Sequence, residues 1–216
     1  NVYAPDKRVS LFDIRYSVNQ KFITLQGVTT SAEAHQALLQ GLSRLNYEVT
    51  DEIKELPDRE ALGEQTCGVV RVSACNLRAA GDYDAGQSSQ ALLGMPVRVL
   101  RKDDWLQVQT PDNYIAWVLP SCVQRVSKAE LDAWNRGPQV VVTAIFGFVY
   151  SRPDDASQTV SDVVAGDRLK MLGEAGKYYS VAYPDGRRGY ISRSVAQPLG
   201  SWRSSLHQDV ASILAT

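Results

Sequence analysis

The 216-residue sequence predicts a mainly β protein. Two tandem antiparallel barrels are preceded by a small α/β domain of order β-β-α-β, with short linker helices. Two observations lead there. From about residue 67 onward the chain holds an internal repeat whose matched segments lie 72–73 residues apart. Before that point the hydrophobic pattern passes from strand-like to helical spacing and back once, which is the signature of a single small α/β unit.

In the first unit, expected over residues 1–58, Arg8–Tyr16 alternates in places, with Leu11 off the pattern. Phe22–Val28 is richer in β-formers, and Asn19-Gln20 reads as the hairpin connection. Ser31 is placed to cap a helix with Glu33 and Ala34 in its first turn. Ala34, Leu38, Leu39, Leu42 and Leu45 recur at helical spacing and give it one apolar face. On this pattern Asn46 ends the helix, Tyr47–Ile53 returns as a strand, and Leu56-Pro57-Asp58 closes the unit. Residues 59–66 read as a polar linker, and His35 as an exposed helix residue.

The repeat defines two barrels, 67–126 and 139–199. Leu92–Leu100 aligns with Val164–Leu172, bringing Gly94 onto Gly166. Trp105–Asp112 then aligns with Tyr178–Asp185, and Ile115–Val118 answers Arg188–Ile191. Pro111-Asp112-Asn113 and Pro184-Asp185-Gly186 suit turns between antiparallel strands: Pro presets φ, and Asn or Gly accepts positive φ. Closing each short sheet into a barrel removes edges that would otherwise pair with other chains. Between the copies, Ser127-Lys128-Ala129-Glu130 is a capping-box pattern that starts a linker helix within 127–138. Residues 200–216 read as a connecting helix striped with Leu206, Val210, Ile213 and Leu214.

Composition narrows the function. A formal net charge of -1 offers no basic surplus for nucleic-acid phosphates. No apolar run approaches the roughly 20 residues that span a bilayer. The three cysteines, Cys67, Cys75 and Cys122, form no CxxC zinc pattern. They read as small buried hydrophobes, with a Cys75–Cys122 bridge left open for geometry to decide. No residue set implies a metal or another cofactor.

At specific residues the chain resembles bacterial SH3 (SH3b) domains. Val72–Arg78 is similar to that family's opening strand. Ser89–Val97 (SQALLGMPV) and Asp112–Val118 (DNYIAWV) resemble the first SH3b domain of NlpC/P60 cysteine peptidases of the dipeptidyl-peptidase VI type. Tyr3–Val9 and the unit behind it resemble the leader of multidomain members from gut Bacteroidetes. The resemblance implies a γ-D-glutamyl-L-diamino acid endopeptidase acting on murein peptides in the periplasm or cell envelope. It implies peptidoglycan stem peptides and a C-terminal NlpC/P60 catalytic domain, absent here, as partners. This chain would then be the non-catalytic part, since no cysteine lies in a family-like nucleophile segment and the histidines are His35 and His207.

In that family the first SH3b domain walls the substrate pocket with a tyrosine and an acidic side chain that admit a free N-terminal L-Ala. By resemblance the tyrosine is Tyr114, while the acidic position is occupied by Gly86, with Asp84 two residues away. The substrate-binding candidates are Tyr114, Asp84, Tyr83, Arg78 and Trp117. Arg78 can meet a carboxylate bidentately, and the loop with Tyr83 and Asp84 sits where rigid scaffolds present binding residues. In the second barrel Tyr178, Tyr179, Tyr183 and Tyr190 can face a ligand or bury against the first barrel. Two alternatives stand beside this reading. One is a stand-alone SH3b module for a protein or glycan partner; the other is a divergent enzyme using Cys75 or Cys122.

Overall fold

The computed structural model describes residues 6–205. Strands β1 (Phe12–Asn19), β2 (Phe22–Thr29) and β3 (Glu48–Glu55) form a three-stranded sheet, with helix α1 (Ala32–Leu42) between β2 and β3. β1 and β2 are antiparallel, whereas β2 and β3 run parallel, as a helical crossover requires. The hairpin closes on Gln20-Lys21, one residue later than the sequence suggests: Asn19 pairs with Phe22, and Gln20 takes φ 54°. Ser31 caps α1 by accepting a hydrogen bond from the Ala34 N–H at 3.1 Å. The helix stops at Ser43 rather than Asn46, so Leu45 lies outside it and is exposed.

His35 corrects its reading as an exposed residue: it lies on the face of α1 that meets β3 and is buried there. Its Nδ1 meets Glu55 Oε1 at 2.9 Å and its Nε2 meets Asp51 Oδ2 at 2.8 Å, both from β3. Burial opposes the imidazolium, but the two carboxylates outweigh it and hold the pKa above the ordinary histidine value. Residues 59–62 correct the linker reading in the same way. They fold as a one-turn helix α2 (Arg59–Leu62), capped by Asp58, and Leu62 enters the core of the first barrel.

The first barrel contains β4 (Cys67–Val70), β5 (Ala74–Arg78), β6 (Gln87–Leu92), β7 (Pro96–Lys102), β8 (Leu106–Gln109), β9 (Ile115–Val118) and β10 (Val123–Val126). The second contains β11 (Gln139–Val142), β12 (Phe146–Tyr150), β13 (Thr159–Val164), β14 (Arg168–Ala175), β15 (Tyr178–Ala182), β16 (Arg188–Ser192) and β17 (Ala196–Pro198). The strand orders are β10-β4-β7-β8-β9-β5-β6 and, read from the other end, β17-β11-β14-β15-β16-β12-β13. Strand for strand these are the same topology. The match extends to single bonds. Thr110 N–H donates to Tyr114 O at 3.0 Å across the Pro111-Asp112-Asn113 turn, and Tyr183 N–H donates to Arg187 O at 2.8 Å across Pro184-Asp185-Gly186. Asn113 and Gly186 adopt the positive φ these turns need, 66° and 87°.

Helix α3 (Lys128–Arg136) joins the barrels behind a complete Ser127/Glu130 capping box. The barrels dock through the β6–β7 turn of the first. Leu93 leaves its own barrel and is buried in the core of the second. Asp167, fully buried, accepts Leu93 N–H at 3.0 Å and Val164 N–H at 2.9 Å on separate oxygens. Trp134 of α3 donates to Gly94 O at 3.2 Å. The α/β unit packs on the other side of the first barrel, where Leu56 and Val28 cover Leu100 and Ile115. The chain is helical again at 199–205; the remainder of the expected connecting helix, with His207, lies outside the described residues, as do Tyr3-Ala4-Pro5.

Candidate binding site

Strand pairing assembles the site on the outer face of the first barrel. β7, β8, β9 and β5 lie side by side, and their register puts Arg101, Gln107, Trp117 and Arg78 in one row. Because strand residues alternate sides, Ala116 and Val118 go into the core while Trp117 stays half-buried on the surface. The Arg101 guanidinium lies 4.8 Å from the Trp117 ring centroid and donates from Nε to Gln107 Oε1 at 2.9 Å. That contact supplies a cation–π interaction and fixes the indole.

The five residues predicted from sequence divide into two groups around this ring. Arg78, next to Trp117, does not point at a ligand: its Nη1 donates to Tyr83 O at 2.9 Å and Ala85 O at 2.6 Å, so it braces the loop after β5. That loop folds back with Tyr83 edge-on to Trp105, centroids 5.1 Å apart. Gly81 lies under both Trp105 and Trp117, where a Cβ would come within 3.2 Å of each ring. A cavity of about 210 Å³ remains here, lined by Gly81, Asp103, Asp104, Trp105 and Trp117. Asp84 is exposed on the loop and lines neither this cavity nor the next.

On the opposite side of Trp117, Tyr114 lines a second cavity of about 280 Å³ with Trp117, Gln107, Lys7, Arg8 and Leu11 among its walls. The segment 7–11 is held there by the barrel itself: Ile115 N–H donates to Arg8 O at 2.6 Å, and Gln109 Nε2 donates to Val9 O at 3.1 Å. Arg8 is oriented by a two-point contact with Asp6, which holds the Asp6 carboxyl below its ordinary pKa. Tyr114 and Trp117 therefore share a wall, whereas Asp84 does not line the cavity that Tyr114 and Trp117 share. Sequence reasoning missed Asp103, Asp104, Arg101 and Gln107. The alternation of β8 and β9 around Trp117 was the available signal for Gln107.

The tyrosines of the second barrel scatter rather than cluster. Tyr179 and Tyr183 are core residues, under Arg193 and Arg187 respectively. Tyr178 donates to Asp155 Oδ1 at 2.8 Å, and Tyr190 pairs with Tyr150 on the outer face. The same face carries an aromatic row absent from the sequence-based candidates: Phe146, Phe148 and Tyr150, spaced 4.9 and 6.3 Å between successive centroids. Among the described residues, no group of three or more His, Cys, Asp or Glu side chains is arranged to hold a metal, and no helix is long and apolar enough to cross a membrane. His35, the one histidine among the described residues, is engaged with Asp51 and Glu55 rather than with a thiol.

Two family models match the chain. Residues 77–121 match the bacterial dipeptidyl-peptidase SH3 domain and residues 145–196 the bacterial SH3 domain. The chain carries two bacterial SH3 domains. The first SH3 domain holds the Trp117 site and the second the aromatic row. Among curated proteins, the candidate N-acetylmuramoyl-L-alanine amidase YrvJ of Bacillus subtilis (strain 168) is 25% identical over 149 residues, covering 66% of this chain and 29% of that protein. Among solved structures, an NlpC/P60 family protein from Bacillus cereus ATCC 10987 superposes with a TM-score of 0.51 at 22% identity, over 61% of this chain and 55% of that one. An NlpC/P60 endopeptidase from Photobacterium damselae subsp. piscicida has a TM-score of 0.48 at 13% identity, over 79% of this chain and 39% of that one. The chain thus spans between 29% and 55% of the length of these relatives.

Proposed function

We propose that this chain is the cell-wall-targeting and substrate-restricting region of an NlpC/P60-type γ-D-glutamyl-L-diamino acid endopeptidase, and that bond cleavage belongs to a catalytic domain it would position. The observation that carries this reading is the pair of small cavities flanking Trp117 in the SH3 domain matched by the dipeptidyl-peptidase model. One is lined by Tyr114, Lys7 and Arg8, the other by Asp103 and Asp104. A stem peptide with a free amino terminus carries both signs of charge. An ammonium suits the acidic, aromatic-walled cavity, and a carboxylate suits the basic one. Tyr114 and Trp117 are the contact residues in this proposal. Arg78 and Tyr83 shape the loop, and Asp84 is left to long-range attraction. Both the similarity to a named N-acetylmuramoyl-L-alanine amidase and the two bacterial SH3 domains support placing the protein in the cell envelope.

The chemistry of such an enzyme is acyl transfer from a histidine-activated thiolate. The SH3 domains contribute by holding the peptide in register, an effect that can remove several kcal/mol from a barrier. Retention on purified peptidoglycan, followed by competition with soluble muropeptides bearing free or acetylated L-Ala, tests the proposal. Selective competition by the free-amine peptide is expected. Equal competition by both, or no retention, contradicts it. A second reading is favoured by the Phe146–Phe148–Tyr150 row: a module binding a glycan or protein partner through the second SH3 domain. In that case retention survives Trp117→Ala and is lost in Phe148→Ala.

A further inference from the structure

We propose that Cys75 and Cys122 are a redox-responsive pair that closes to an intramolecular disulfide within the first SH3 domain, with a low-molecular-weight or protein disulfide as the oxidant. The pairing is visible in the backbone frame shared by the two domains. In the first, Arg71 N–H donates to Cys122 O at 2.9 Å and Cys122 N–H to Leu119 O at 3.0 Å; in the second, Thr143 N–H donates to Val195 O and Val195 N–H to Ser192 O at the same distances. Cys122 and Val195 are thus equivalent, and β5 and β12 bury the same positions in the same alternation, making Cys75 equivalent to Gly147. In the second domain these two positions touch across the barrel wall: a Cβ on Gly147 would stand 2.5 Å from Val195 Cγ1. The first domain places a thiol at each of them, with Cys75 fully buried and Cys122 packed against the cluster that contains it.

The environment assigns the roles. Hydrogen bonding from Cys75 outweighs the effect of burial at Cys122, and with Ser121 and the Arg71 charge it lowers that thiol below the ordinary range. Cys75 is shifted upward by the same contact and by its burial. Cys122, half-exposed, is therefore the attacking thiolate. It displaces one half of the oxidant as a thiolate, forming a mixed disulfide. Cys75 gives its proton to solvent and attacks the Cys122 sulfur, releasing the second half. The two cysteines lose two electrons and two protons in total, and the oxidant disulfide is reduced to two thiols. The new bond ties β5 to the turn ahead of β10. That turn also holds Arg71, whose Nε donates to Ser121 O at 2.7 Å and whose Nη1 lies 3.7 Å from Asp185 of the second SH3 domain. Oxidation would therefore stiffen the frame behind one of the contacts between the two domains.

Cys67, on β4, serves as the internal control. The full chain, and the Cys67→Ser chain, are incubated with excess oxidised glutathione, alkylated with iodoacetamide and digested for mass spectrometry without reductant. The expected product is a peptide linked Cys75 to Cys122 in both chains, with Cys67 alkylated where present. Dithiothreitol restores alkylation at both sites. The oxidised chain should also melt about 5 °C or more above the reduced one, given the loop it closes. A persistent glutathione adduct on Cys122, a bridge involving Cys67, or complete alkylation of all three cysteines after oxidation overturns the proposal.

Discussion

The two SH3 domains share one strand order and many of the same backbone bonds, yet their outer faces have opposite character. β5 turns Ala74, Asn76 and Arg78 outward; β12 turns Phe146, Phe148 and Tyr150 outward at the same places. Trp117, paired with Arg78, is answered by Tyr190, paired with Tyr150. Tyr114 opens onto a cavity, whereas its counterpart Arg187 is used in the joint, donating to Arg71 O at 2.7 Å. Even the extra residue of the matching β-bulge differs in fate: Leu100 is fully buried beneath the α/β unit, and Leu172 is 45% exposed. The frame is thus specified by inward positions and turns, while function is free to diverge on the outward ones.

The two bulge leucines should differ most when truncated. Leu100→Ala should cost about 3 kcal/mol, because a filled contact between the unit and the barrel becomes a void. Leu172→Ala should stay within about 0.5 kcal/mol. Equal losses in chemical denaturation would mean that the α/β unit does not cover the first SH3 domain as described. Next in size, Asp167→Ala removes the acceptor of Val164 N–H and leaves Leu93 N–H with only its longer contact to Ser73 O at 3.4 Å, and should cost about 2 kcal/mol. Faster amide exchange should appear at Leu93 and Val164 before it spreads elsewhere; uniform exchange would deny that Asp167 organises the joint.

The α/β unit and the barrel joint should also each respond to pH. Burial pushes Asp167 up to about 7 against the two backbone donors that favour its charge, and His35 is also raised. A group whose folded pKa lies above its unfolded value stabilises most below the unfolded value, and that stability is lost as pH rises through the folded one. Thermal stability should therefore decline as pH rises through about 7. His35→Gln should remove the share belonging to the α/β unit, and Asp167→Asn the share belonging to the barrel joint. A melting temperature that climbs over this window would contradict both assignments. The smallest effect on stability is expected for Trp117→Phe, whose ring stays on the surface and whose consequence should fall on ligand binding.

Much of this architecture is legible in the sequence because it is written locally. Ser31 and the Ser127/Glu130 pair announce helix starts, Pro-Asp turns mark the hairpins, and the matched glycines expose the repeat. What is not legible depends on partners far along the chain. His35 looks like a solvent-facing helix residue until Asp51 and Glu55 are brought beneath it. Leu62 sits in a polar stretch and enters a core whose other members lie beyond residue 69. Leu93 belongs by sequence to one barrel and by packing to the other. The same limit applies to the candidate site: Tyr114 and Trp117 stand in a motif visible in the sequence, but Asp103 and Asp104 become neighbours of Trp117 only once β7, β8 and β9 are folded together.

In the proposed function, ligand recognition resides beside Trp117 of the first SH3 domain. Titration of the isotopically labelled chain with a free-amine L-Ala muropeptide, followed by backbone and indole NMR shifts, tests it most directly. Perturbations should centre on Trp117, Tyr114, Asp103 and Asp104 and vanish in the Trp117→Ala chain. Shifts centred instead on Phe146, Phe148 and Tyr150, with the Trp117 indole unmoved, would contradict it.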